Sequence, residues 1–103
     1  DEVQYFIVGK PIVGQQVLER PQSVAKLGEL HKCLRQGIIK AIWPCGSKGI
    51  AHEVKRFIGR EATFNLDGRV SAGPSTAVLV AVDRYQLQAF HEAITTSITP
   101  ISL

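Results

Sequence analysis

Hydrophobic positions along the chain switch repeatedly between a two-residue and a three-to-four-residue spacing, and each switch marks a new element. Val3–Gly9, rich in β-branched and aromatic residues and closed by Gly-Lys-Pro, predicts a strand. Lys10–Arg20 contains Pro11 and Gly14 and reads as an extended loop or edge segment, with Pro21 barring an earlier helix start. Ser23 is placed to cap a helix running to about Gln36, with Val24, Leu27, Leu30 and Leu34 on one face and Gly37 as the stop. Ile38–Trp43 follows as a nearly all-apolar strand, expected inside the sheet.

A second helical stripe runs through Ile50, Ala51, Val54, Phe57 and Ile58 to Gly59. Glu61–Leu66 predicts a short strand, and Asp67-Gly68 a turn. Ser75–Val82, without a charge, is the clearest strand signal. Asp83 with Gln86 has the spacing of a capping box opening a third helix, whose inner face is Leu87, Phe90 and Ile94. Ile98–Leu103 returns as a last strand, which Pro100 assigns to an edge. The order βα-βαββαβ predicts an α+β fold: a mixed sheet covered by helices, with uncharged strands in its centre. From Ile38 onward it matches the split βαβ, or ferredoxin-like, unit, with one strand and one helix added in front.

Composition limits what such a frame can be. The 103 residues are 45% hydrophobic and 20% charged, the balance of one globular domain with a single core. The chain opens with Asp1-Glu2-Val3 and contains no methionine, so it is expected to be a processed chain or an excised domain. No apolar run approaches the roughly 20 residues of a membrane span, and no signal peptide is visible. Cys33 and Cys45 do not make a disulfide scaffold in a chain of this size; free thiols and a reducing, cytoplasmic setting are expected.

The net charge is +3 and the isoelectric point near 9.1. Between Gly37 and Arg69, six lysines and arginines face Glu53, Glu61 and Asp67, an excess able to steer anions toward the middle of the domain or simply to solvate its surface. Aromatic and basic residues do not interleave there, which argues against nucleic acid.

Candidate chemistry gathers at Trp43-Pro44-Cys45-Gly46-Ser47-Lys48-Gly49, between a strand and a helix. A helix start leaves backbone N–H groups without intrahelical partners and adds the positive end of the dipole, a setting that suits phosphate. Ser47 offers a hydroxyl and Lys48 a cation, so Gly46, Ser47, Lys48 and Gly49 form the candidate phosphate or substrate site; a purely structural turn and cap explains the glycines as well. The spacing is not that of a P-loop.

Cys45 lies near the same helix end, where a thiol is acidified, but His52 stands two turns away and need not reach it. His31, His52 and His91 fall on three separate helices and do not form a metal site. Trp43, the only tryptophan, reads as a core anchor or a stacking surface.

Three passages carry a resemblance to a family: Gly9-Lys10-Pro11 with Val13-Gly14 and Val17-Leu18; Pro44 through Ile50; and Gly73-Pro74-Ser75-Thr76 before a strand and helix. Together they resemble the C-terminal domain of proteins related to aminoimidazole ribonucleotide synthetase. That superfamily includes selenophosphate synthetase, thiamine monophosphate kinase and a hydrogenase maturation factor, and the closest likeness is to its uncharacterised synthase-related members.

The resemblance implies a three-layer fold and a missing N-terminal domain that supplies most ATP and metal contacts and drives dimerisation. It also implies a glycine-containing helix start that faces substrate or phosphate, a role falling on Gly46, Ser47, Lys48 and Gly49. Several branches carry an acidic residue just before these glycines. Ile42-Trp43-Pro44 stands there instead, so no metal ligand is carried over.

The function expected is therefore a substrate-side domain, inactive alone, whose partner is a phosphorylated small molecule or nucleotide, with ATP and Mg bound mainly outside this chain. A small self-associating ferredoxin-like module, dimeric and without catalysis, is the alternative. A thiol enzyme using Cys45 is a third.

Overall fold

The computed structural model describes residues 2–9, 26–44, 50–64 and 77–103. Four strands, β1 (Val3–Gly9), β2 (Ile39–Pro44), β3 (Ala77–Asp83) and β4 (Ile98–Ile101), form one sheet in the order β2-β3-β1-β4. Among the described residues the helices are α1 (Leu27–Arg35), α2 (Ile50–Ile58) and α3 (Leu87–Ala93), the last entered through a 3-10 turn at Arg84–Gln86. The α+β class expected from the hydrophobic pattern is the class observed.

Among the described residues every strand pairing is antiparallel, in place of the mixed sheet expected. β1 and β2 run the same way but β3 lies between them, and β3 and β4 are likewise separated by β1. The split βαβ unit is therefore β1-α1-β2 with β3-α3-β4, starting at Val3 and not at Ile38. α2 is an insertion between β2 and β3. The strand expected at Glu61–Leu66 is reduced to one bridge, Thr63 to Ser102, with residues 65 and 66 outside the described set.

Side-chain alternation along the two central strands builds two separate cores. Phe6, Val8, Val78, Val80 and Val82 point to one face, where Leu30 and Cys33 of α1 and Phe90 and Ile94 near α3 cover them. Ile7, Ala77, Leu79 and Ile101 point to the other, under Ile50 and Val54 of α2. Both helical residues are fully buried, each contributing about 1.5–3 kcal/mol by its removal from water. The sheet is thus the middle of three layers.

Two sequence expectations are displaced. β2 is an edge strand and not an interior one: its apolar run reflects helices on both faces, whereas lateral position depends on which strands pair beside it. On α1 the buried residues are Leu30 and Cys33, while Leu27 and Leu34 are 46% and 42% exposed. At about 100° per residue, those two leucines lie some 70–90° from the centre of the buried arc.

Helix ends follow local chemistry. Gly37, at φ 78°, closes α1 with its N–H on Leu34 O (3.2 Å) and that of Ile38 on Cys33 O (3.0 Å), a Schellman pair. Gly59, at φ 84°, closes α2. Asp83 caps the third helical segment by accepting from Tyr85 N–H at 2.9 Å.

Candidate functional site

Register gathers several chain ends at one edge of the molecule. Gly9 pairs with Ala77, Pro44 with Val78, and Val8 with Ile98. The end of β1, the end of β2 and the starts of β3 and β4 therefore lie side by side. Gly46, Ser47, Lys48 and Gly49, together with Cys45, lie outside the described residues, as does the Gly73-Pro74-Ser75 passage. Their points of attachment are described: Pro44 and Ile50 flank the first, and Ala77 follows the second.

Ile50, fully buried, is the first described residue of α2, which is nine residues long. Its first turn also carries Glu53, only 8% exposed. A carboxylate there is favoured by the helix dipole and adds negative charge at the end where an anion would sit. The α3–β4 turn reaches the same end of the sheet, its Ser97 O accepting from Gly9 N–H at 2.8 Å. Thr96 Oγ1 and Ser97 Oγ are buried there without a hydrogen-bond partner among the described residues, leaving unused polar capacity.

Trp43, the last residue but one of β2, is half-buried on the α2 side of the sheet. Its ring lies 5.8 Å from that of Phe57 at 40°, and Phe57 meets Tyr5 edge-on at 5.6 Å and 84°. The Arg56 guanidinium covers the indole at 5.6 Å from its centroid. An exposed cation–π contact of this kind stabilises by roughly 0.5–1 kcal/mol. Of the two roles the sequence left open for Trp43, core anchor and stacking surface, the structure shows packing against the α2-side core. Arg56 was not singled out, although its place just before an inward-facing Phe57 on a helix beside Trp43 is the signal that could have found it.

Elsewhere the titratable groups are dispersed. His31, His52 and His91 are all exposed, and among the described residues no three of His, Cys, Asp and Glu converge as a metal site would require. Cys33 is fully buried between α1 and the sheet, and burial pushes its thiol above the usual value, with Glu29 adding to the effect and Lys32 opposing it. An open depression of about 280 Å³, reached by Gln4, Tyr5, Arg84 and Ser102, lies toward the opposite end of the sheet. Lys40 and Asp83 form a looser ion pair at 3.8 Å near that end.

No family model, no curated protein and no solved structure matches this chain. Among the described residues no helix is long and apolar enough to cross a membrane.

Proposed function

We propose that this chain is a ligand-binding domain that holds a phosphorylated small molecule at the 46–49 turn, as the substrate-side part of a larger ATP-dependent, aminoimidazole ribonucleotide synthetase-related protein. The observation that carries the reading is the passage from the end of β2 at Pro44 to a helix anchored at Ile50, at the sheet end where Gly9 and Ala77 also stand. First-turn amides of such a helix, with Ser47 and Lys48 before them in the sequence, suit an anion. The buried hydroxyls of Thr96 and Ser97 add unused hydrogen-bonding capacity at that end. ATP and magnesium belong to the partner domain in this reading, and catalysis requires both parts.

The alternative, self-association through the sheet, has less support. Both faces are covered by helices. The β2 edge carries Lys40, a register irregularity between Ile39 and Ala41, and Pro44, while Pro100 interrupts the β4 edge. Each of these is a device that discourages strand addition.

NMR titration of the chain with inorganic phosphate, ribose 5-phosphate and ATP tests the proposal. Shifts centred on the amides of Ile50 and Ala51 are expected; shifts confined elsewhere, or none at millimolar ligand, overturn it. Sedimentation velocity addresses the alternative, since a tight dimer indifferent to anions would favour the interaction module.

A further inference from the structure

We infer that Trp43 and Arg56 form a binding site for a ligand combining a flat aromatic ring with a negative charge, the chemistry of a nucleoside monophosphate. The site stands on described residues alone and does not depend on the 46–49 turn.

The two members differ in freedom. Trp43 is half-buried and steadied by Phe57, which Tyr5 supports from behind, so the indole is a fixed platform. Arg56 is exposed, with its guanidinium over the Trp43 ring. Its neighbour Lys55 is committed to Glu61 at 3.2 Å, whereas among the described residues no carboxylate pairs with Arg56. A planar guanidinium with five donors is thus held over an aromatic face, with no anionic partner among the described residues.

A base stacked on an aromatic ring is held more strongly than an exposed guanidinium on the same face. An incoming base therefore displaces Arg56 from the indole. The released guanidinium meets the phosphate through its paired donors, the geometry in which Arg binds phosphate best. Neither a bare phosphate nor an uncharged nucleoside satisfies both halves of the site, so the recognition selects molecules that carry both.

Because the chain has one tryptophan, its fluorescence reads Trp43 alone. Titrating the full chain with AMP is expected to quench it saturably, adenosine to bind about fivefold more weakly, and ribose 5-phosphate to leave it unchanged. Arg56→Gln, at an exposed position that leaves the core intact, should lower AMP affinity to that of adenosine, and Arg56→Lys should recover only part of it. No quenching at millimolar AMP, or equal AMP affinity in Arg56→Gln, overturns the inference. A single-stranded oligonucleotide binding far more tightly than AMP would overturn the small-molecule assignment. Amide shifts of Ile50 and Ala51 with ribose 5-phosphate report on the turn separately, so the two readings fail by different signals.

Discussion

Thr95 donates both its backbone N–H (3.1 Å) and its hydroxyl (2.7 Å) to the carboxylate of Glu29, a residue 66 positions earlier. Lys26 Nζ donates to the same hydroxyl at 2.8 Å. The chain just beyond α3 is thereby fastened to the first turn of α1, across the two halves of the split βαβ unit. Hydrogen bonds to a charged group contribute more than neutral ones, but this pair is largely open to water. Glu29→Ala is expected to cost about 1 kcal/mol in urea unfolding, and Thr95→Val, which keeps the amide bond, about half of that. Equal stability of Glu29→Ala and the parent would show that the fastening is idle.

Adding one methyl group to two different glycines should have opposite effects. Gly37 lies at φ 78° where α1 ends, and a Cβ there meets no atom within 4 Å, so the cost of Gly37→Ala is conformational and about 1–2 kcal/mol. Gly28 sits inside α1 with equally open space and no unusual φ. Gly28→Ala should stabilise by about 0.4–1 kcal/mol, because the unfolded chain loses freedom. Thermal midpoints moving in opposite directions are the check.

Cys33 couples stability to alkaline pH. Its folded thiol holds the proton more tightly than an exposed one, whose usual value is 9.0. Above that pH the unfolded chain sheds the proton while the native state keeps it, so the folded state binds more protons and stability falls as pH rises. The contribution is complete below about pH 9 and disappears as pH climbs through the raised folded value. In a Cys45→Ser background, iodoacetamide should label Cys33 only at the rate of opening. Rapid labelling of the native protein at pH 8 would contradict its burial.

Glu53 bears directly on the proposed phosphate site. Its negative charge in the first turn of α2 opposes a second anion at that helix end. Removing it with Glu53→Gln should tighten inorganic phosphate binding by about twofold to fivefold, the size of one charge–dipole interaction. Phosphate titration followed at the Ile50 amide measures this. A weaker response in the variant would mean that the carboxylate organises the turn instead of competing with its ligand.

Residue patterns revealed faces better than neighbours. The uncharged apolar run Ser75–Val82 correctly marked a buried central strand, because Val78, Val80 and Val82 fill one core while Ala77 and Leu79 fill the other. The same kind of apolar run in β2 suggested an interior position, yet Ile39 and Ile42 pack toward one core and Trp43 toward the other while one lateral edge has no strand beside it among the described residues. Glycines at 37 and 59 fixed helix ends because positive φ is a local property. The bridge between Thr63 and Ser102, by contrast, depends on a pairing across 39 positions that no local spacing encodes. Of the candidate site, Trp43 was visible through its rarity. Arg56 was hidden because a basic stretch such as Lys55, Arg56 and Arg60 looks alike whether its cations face solvent or a ring.

Adjacent antiparallel strands such as β2 and β3 need only a tight turn to connect Pro44 with the start of Ala77. The chain departs from that economy to bring α2 over the sheet's second side. A version shortened to a hairpin at that point would keep its strand order but leave Ile7, Leu79 and Ile101 facing water as an oily wall. The inserted helix is therefore what keeps that wall covered, through Ile50 and Val54.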